Sequence, residues 1–535
     1  MIQTIQTLIL LLCVIAAVGV IARHLRVPPA ILLVLVGAVL ALVPGLPTVR
    51  LVPEVVLLLV LPPVIYSSAV AMSWREFRFN LRAISLLAIG CVVFTTVAAA
   101  AAAHWILGLA WPVGFVLGAI ISPPDAVAPL AIARRMQLPR RILVVLEGEG
   151  LANDATALIL YRFAVIAVAT GVFSLEKAAG SFALIIAGEL IWGIGVGWML
   201  LRLRRWVADP QIEILLSLLT PFAAYWPPQH LGGSGVLATV AAGLYVSWNG
   251  FAIISAATRL QGIFFWNVLL YVMEGMIFLI TGLQARALAS GINGYTPADL
   301  AESAAAFSAV VILARFVWTY PATYLPRLIP AIGRRDPAPP WQWPFAIAFT
   351  GVRGIVSLAA ALAIPLTMDD GRPFPNRDLI LFLTYSVILV TLVGQGLLLP
   401  ALIRALGLAH AGGREHRAEK AEELAARRAA IAAASRRLEA ITQEQSITAE
   451  LAGALEAEHQ QRLRHFLPEE RRPAGHPAPS SHDSVELELL TAEREYINNL
   501  YRTGNLRDET RRRLERELDL REASLASHEH EPADD

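Results

Sequence analysis

Apolar residues run along the chain in blocks of about 16 to 25, each long enough to cross a hydrocarbon core of about 30 Å as a helix. Short polar stretches rich in arginine separate them. The blocks predict spans at about residues 8–22, 28–45, 51–70, 83–103, 112–132, 143–171, 181–201, 211–226, 233–248, 261–283, 302–326, 343–366 and 378–404, thirteen helices in all. The first block has no basic stretch before it and no small-residue cleavage site before Arg23, so it reads as a retained span and not a signal peptide. Past residue 408 the pattern changes. Ala, Glu, Arg and Leu predict a helix over 414–465, a Pro-rich break follows at 468–479, and a second helical stretch is expected over 484–527.

Composition agrees with this pattern. Of 535 residues 56% are hydrophobic and 16% charged, and mean hydropathy is +0.57, outside the range of a soluble chain of this size. The net charge of +1 hides an uneven distribution, because most charged residues lie outside the apolar blocks. Two domains are expected: a membrane domain over 1–408 and a charged helical cytoplasmic tail over 409–535. Cys13 and Cys91 both fall inside apolar blocks, which leaves no disulfide framework and makes redox chemistry unexpected. No cofactor and no nucleic-acid partner is expected.

Cytoplasmic loops of membrane proteins carry the excess of Arg and Lys. The odd-numbered loops hold sixteen: Arg23 and Arg26, Arg75, Arg78 and Arg82, Arg134, Arg135, Arg140 and Arg141, Arg202, Arg204 and Arg205, Arg259, and Arg327, Arg334 and Arg335. The even-numbered loops hold five, Arg50, Lys177, Arg286, Arg372 and Arg377. The odd loops and the tail are therefore expected in the cytoplasm and the N-terminus outside, in a cell inner membrane. An odd number of spans is what that arrangement requires.

Two spans are interrupted at matched positions. Span five contains Ser122-Pro123-Pro124-Asp125, and span twelve contains Gly351-Val352-Arg353-Gly354. They lie seven helices apart, which makes them equivalent in two inverted six-helix repeats joined by span seven. Broken helices leave carbonyls and helix ends at depth, where a partly dehydrated ion can be coordinated.

Charged groups within the bilayer cost several kcal/mol, so each needs a partner or a function. They are Asp125, Glu147, Glu149, Asp154, Arg162, Glu189, Glu274, Arg315 and Arg353, with Glu213 near an end. Only 146–154, Leu-Glu-Gly-Glu-Gly-Leu-Ala-Asn-Asp, is dense. On a helix Asn153 shares a face with Glu149, while Asp154 is turned about 100° further round. Glu149 and Asn153 are thus expected to face a structural partner, with Arg353 the best available cation. Asp154 is expected to face the broken span five. Hard cations prefer oxygen ligands, and Asp154, Asp125 and carbonyls freed by Pro123 and Pro124 would supply them. Proton and cation then compete for the same oxygens, and that competition is itself an exchange mechanism if the empty charged site cannot cross. Plainer roles suit the others. Glu147 fits the cytoplasmic interface beside Arg140 and Arg141, Arg162 snorkels or pairs internally, and gating, helix pairing or an ion role all fit Glu189 and Glu274.

The stretches Ile121-Ser-Pro-Pro-Asp-Ala-Val-Ala128, Leu146 to Ala155, Gly351-Val-Arg-Gly354 and Leu61-Pro-Pro-Val-Ile-Tyr66 occur in this order over residues 1–408. Together they resemble the sodium/proton exchanger branch of the monovalent cation/proton antiporters. The resemblance implies an all-α homodimer of thirteen-helix subunits with two crossed broken helices and an elevator-like core. It implies that Asn153-Asp154 is the ion-binding pair, that Asp125 lines the crossing, that Glu149 is braced by Asn153 and Arg353, and that Arg315 matches the family's arginine in the preceding helix. Asn rather than Asp before Asp154 is similar to the electroneutral branch. Two residues depart from the pattern, Gly150 where many relatives carry serine and Pro124 where some carry threonine, and they leave sodium, potassium and lithium open. The expected activity is exchange of a monovalent cation, sodium first, for protons. A membrane enzyme is a poorer reading, because the spans hold no metal-binding His pair, serine-lysine dyad or nucleotide loop. A channel would need a continuous pore.

Overall fold

The computed structural model describes residues 2–43, 51–171, 175–207, 209–250, 253–254, 256–286, 295–368, 371–443 and 453–457, with a few positions between 490 and 522. Arg50, the Pro-rich break and most of the expected helix over 484–527 lie outside the described residues. The chain divides into two compact units, Met1–Glu415 and His416–Asp535.

The first unit is helical throughout apart from its loops and one isolated bridge, Thr367 to Pro373, among the described residues. Its helices are α1 (Ile2–Leu25), α2 (Pro29–Ala41), α3 (Val55–Ala71), α4 (Trp74–Leu107), α5a (Trp111–Ile121), α5b (Val127–Arg135), α6 (Arg140–Thr170), α7 (Leu175–Arg204), α8 (Pro210–His230), α9 (Val236–Asn249), α10 (Ala256–Leu283), α11 (Pro297–Tyr324), α12a (Gln342–Phe349), α12b (Ile355–Leu362) and α13 (Arg377–Ala405), and the first residues of α14 (Leu408–Gln443) also belong to it. Counting each broken pair once, α1 to α13 are thirteen segments among the described residues, in the expected order. Seven of them are long and apolar enough to cross a membrane. Large apolar side chains such as Leu184, Ile191, Phe264 and Leu313 point outward on these helices, as a hydrocarbon solvent allows and water does not.

Local sequence accounts for the starts and breaks. Ser73 caps α4, Asp209 caps α8 through the N–H groups of Gln211 and Ile212, and Thr296 with Asp299 forms a reciprocal capping box on α11. The Pro123-Pro124 pair withholds two backbone donors and ends α5a. Three helices pass through a π-turn, Val55–Val60, Leu86–Cys91 and Val390–Gln395, and two of these turns supply groups to their neighbours. Trp318 Nε1 donates to Leu86 O at 2.7 Å, and Gln395 Nε2 donates to Phe349 O, at the end of α12a, at 3.1 Å.

A large core joins α3, α4, α5a, α6, α11 and α13 through residues such as Ile65, Ala103, Leu117, Leu158, Phe307 and Leu383. A second cluster joins α1, α2 and α10 through Ile15, Ile31, Val34 and Phe278. Glu189, on α7, is 3% exposed and accepts from the N–H groups of Ser234, Gly235 and Leu237 at 2.5, 3.0 and 3.1 Å, together with the Ser234 hydroxyl. It therefore caps α9 from a neighbouring helix, so of the roles open to it the structure gives helix pairing.

The tail helix starts earlier than the sequence suggested. Leu408 packs with Ile132, Leu138, Ile142 and Leu146, and Glu415 Oε2 accepts from Arg140 N, at the start of α6, at 2.9 Å. Gly412 makes this approach possible, because a Cβ there would overlap the backbone of Gln137 and Leu138.

Candidate functional site

The broken helices meet at the centre of the unit, where Asp125 N donates to Val352 O at 2.7 Å and ties the two extended segments together. Each break exposes two helix ends, with partial positive charge where α5b and α12b begin and partial negative charge where α5a and α12a stop. Side chains of opposite sign sit at each. Asp125 Oδ1 accepts from Val127 N at 2.9 Å, at the start of α5b. Its carboxylate also lies against Gly354, the residue before α12b, so closely that a Cβ there would overlap it. At the other ends Arg353, 1% exposed, donates to Ile121 O at 2.9 Å, to Ser122 O at 3.2 Å and to Gly351 O. Its own backbone N–H is held by Thr391 Oγ1 at 2.9 Å, in the α13 π-turn. Asp125 and Arg353 thus compensate the four broken ends.

Helix α6 runs alongside. Glu149 and Arg315 form a bidentate pair at 2.5 and 2.8 Å, with side chains 2% and 1% exposed, and Arg315 Nε donates to Ile347 O of α12a at 3.1 Å. This corrects the expected pairing: the partner of Glu149 is Arg315 from α11, and Arg353 serves carbonyls. Asn153 departs as well. It does not brace Glu149; its Nδ2 donates to Pro124 O at 2.5 Å and its Oδ1 accepts from Asp154 N at 2.7 Å. The Pro124 carbonyl, expected as a free ion ligand, is therefore already engaged by Asn153 and keeps only its second lone pair. Glu147 lies two turns into α6, and its ion-pair partner is Arg134. Arg140 pairs with Glu76, and Arg141 with Asp336.

Asp154 lines a cavity of about 430 Å³ together with Asp125, Gly150 and Pro124. The cavity extends to the exposed Arg134–Glu147 pair at the end of the bundle that holds the basic loops. No hydrogen bond or ion pair is made to the Asp154 carboxylate by the described residues, so its oxygens face the cavity. Gly150 also finds its reason here: a Cβ would come within 2.9 Å of Ala126 Cβ, so the α6 backbone approaches the break too closely for a serine without movement. The residue whose role the sequence left open among gating, helix pairing and ion binding is Glu274. It projects from α10 into the same cavity, two turns from Asn267 on the same face, with no hydrogen-bond or ion-pair partner among the described residues. The i, i+7 spacing of two polar groups in an apolar span was the available signal.

A membrane unit with crossed, charge-compensated broken helices and an unpaired carboxylate in an open cavity defines a secondary transporter. Comparison with known proteins agrees. Residues 8–405 match the family described as sodium/hydrogen exchanger, transmembrane, and the chain belongs to that family of cation/proton antiporters. It is 35% identical to an uncharacterised Na+/H+ exchanger of Mycobacterium tuberculosis, over 98% of this chain and 97% of the relative. It is 33% identical to a sodium, potassium, lithium and rubidium/H+ antiporter of Bacillus subtilis, over 74% of this chain and 60% of the relative. With the Na+/H+ antiporter NhaS2 of Synechocystis it shares 30% over 76% and 71%. The fold is similar to that of the sodium proton antiporter MjNhaP1 from Methanocaldococcus jannaschii, with a TM-score of 0.60 at 18% identity, covering 76% of this chain and 99% of that one.

Proposed function

We propose that the protein exchanges one monovalent cation, sodium first, for one proton, with Asp154 carrying each in turn. The observation that carries this reading is the charge balance around the break. Around the break, Glu149, Asp125 and Asp154 oppose Arg315 and Arg353, which leaves one negative charge; Glu274 reaches the cavity from α10, outside the broken helices and α6, and is not part of this sum. One proton or one monovalent cation on Asp154 neutralises it. Moving an uncompensated charge through the bilayer interior costs about 3 kcal/mol or more, so the two loaded forms cross and the empty form does not. That asymmetry gives one-for-one, electroneutral exchange. Asp125 sits between two helix N-termini whose partial positive charge faces its carboxyl group, Asn153 fixes the Pro124 carbonyl and the backbone of Asp154, and water in the cavity completes the cation's shell.

Potassium is the second reading. It is supported by the Bacillus relative, whose description includes potassium beside sodium, and by Gly150, which offers no hydroxyl for a small dehydrated ion. Three further readings accompany the proposal: a homodimer, an N-terminus outside with the basic loops and tail in the cytoplasm of an inner membrane, and a separate tail unit beyond the last span. The loop assignment is supported by pairs that gather odd-numbered loops, Arg135 with Arg26 O, Arg140 with Glu76, and Arg82, Arg141 and Arg327 with Asp336.

The test is proton flux in proteoliposomes with stepwise sodium, lithium, potassium or choline, at clamped membrane potentials. A sodium or lithium response whose rate ignores the potential is the expected result. A potassium-only response changes the substrate, and a rate that follows the potential rejects one-for-one exchange.

A further inference from the structure

At the basic end of the bundle three arginines from three different segments converge on one carboxylate. Arg82 comes from α4, Arg141 from α6 and Arg327 from the short turn after α11, and all three pair with Asp336, Arg141 at 2.7 Å and Arg327 at 2.8 Å. One aspartate cannot neutralise three guanidinium groups, so the cluster keeps two positive charges. It is also incompletely bonded. The Arg327 side chain is 8% exposed, yet its Nε has no hydrogen-bond partner. These arginines line a cavity of about 40 Å³ with Thr319, Thr323 and Trp343, room for roughly three waters or one tetrahedral anion when a single water takes about 10–15 Å³ on this measure.

Exposed apolar residues that lie next in the chain to the pocket's lining decide the class of anion. Phe79, Leu325, Leu328, Ile329 and Trp341 are 68, 61, 76, 54 and 54% exposed. Such side chains belong at the level where headgroups meet acyl chains. Arg141 also lies over the Phe79 ring, 5.9 Å from its centroid. Arg75 and Arg78, on the same first turns of α4, are exposed and add to the positive potential.

We propose that this pocket binds the phosphate of an anionic phospholipid, with the headgroup on Arg82, Arg141 and Arg327 and the acyl chains on the apolar rim. Basic pockets between helices at a cytoplasmic face suit that chemistry, and guanidinium groups match phosphate oxygens in geometry as well as charge. Occupancy would bind together α4, α6 and α11, the last two of which carry Asp154 and Arg315. Asp336 then acts as an internal competitor: it holds the arginines in place when no lipid is present and weakens the lipid's hold when one is.

That competition makes the test two-sided. Purified full-length protein in a neutral detergent is titrated with phosphatidylglycerol, phosphatidylcholine or inorganic phosphate while thermal unfolding is followed, for wild type, Arg82→Gln and Asp336→Asn. Phosphatidylglycerol should raise the unfolding temperature of wild type saturably, and phosphatidylcholine should not. The concentration giving half the shift should rise at least five-fold in Arg82→Gln and fall in Asp336→Asn, although both variants start less stable because each loses an ion pair. The same half-shift in all three proteins, or equal stabilisation by phosphatidylcholine, overturns the proposal. Equal stabilisation by inorganic phosphate assigns the pocket to a soluble anion and overturns the lipid.

Discussion

The pairing of Glu149 with Arg315 rather than Arg353 makes a quantitative prediction. Both members are almost fully buried and joined by two hydrogen bonds. Removing one partner of such a pair leaves an uncompensated charge, which costs about 3–5 kcal/mol, whereas replacing both with apolar groups is close to neutral. Arg315→Met should therefore lower stability by about 3–5 kcal/mol. At roughly 1–2 °C per kcal/mol for a cooperative unit of this size, the unfolding temperature falls by about 3–10 °C. Adding Glu149→Leu should recover much of the loss, a coupling of about 3 kcal/mol in a double-mutant cycle. The parallel cycle of Arg353→Met with Glu149→Leu should give less than about 1 kcal/mol, because Arg353 donates to Ile121, Ser122 and Gly351 carbonyls. Thermal unfolding of the purified variants reads both cycles. Equal coupling of Glu149 to the two arginines, or stronger coupling to Arg353, would refute the geometry described here.

Further outcomes follow from the same site. Glu274→Gln should raise the KM for the cation about five-fold with little change in maximal rate, since losing one carboxyl oxygen that faces the cavity costs about 1 kcal/mol of polar interaction; a lost maximal rate with unchanged KM would show that Glu274 acts in the transport step itself. Gly354→Ala should abolish exchange and cost about 1–3 kcal/mol of stability, because the added Cβ displaces the Asp125 carboxylate, and unchanged flux would mean that the crossing tolerates that shift. Asp336 supplies a pH dependence. Burial pushes its carboxyl up, but the Arg141 hydrogen bond and the charges of Arg141, Arg327 and Arg82 outweigh this and hold it below its ordinary 3.8. Its stabilisation is therefore present above that value and lost as pH falls through the lower folded one. Asp336→Asn should flatten the acid limb of the stability curve there, and an unchanged limb would assign acid unfolding to other groups.

Much of this site could be read from the sequence because its signals are local. The Pro-Pro-Asp and Gly-Val-Arg-Gly interruptions mark broken helices wherever they fall, and Asp154 stands out as an ionisable residue in an apolar span. What could not be read depends on which helix arrives beside which. Glu149 and Asn153 lie one turn apart on nearly the same face of α6, yet one turn is enough to change neighbours: Glu149 meets α11, and Asn153 meets the end of the α5 break. Arg315 is 166 positions from Glu149, and no periodicity in either helix encodes that meeting. For Glu274 the spacing from Asn267 marks a polar face of α10, but which cavity that face meets follows from the position of α10 and not from its own surroundings in the chain. The start of α14 at Leu408 depends on a neighbour in the same way, since the turn at Gln137 comes to rest against Gly412 and nothing local to the chain shows that contact.

The central claim is that one proton and one cation compete for the Asp154 carboxylate. Proton release on cation binding measures this directly, by calorimetric titration of purified protein with sodium in two buffers of different ionisation enthalpy. The account predicts close to one proton released per sodium bound near the midpoint of activity, and neither binding nor release in Asp154→Asn. Sodium binding with no proton released, or full release persisting in Asp154→Asn, would contradict it.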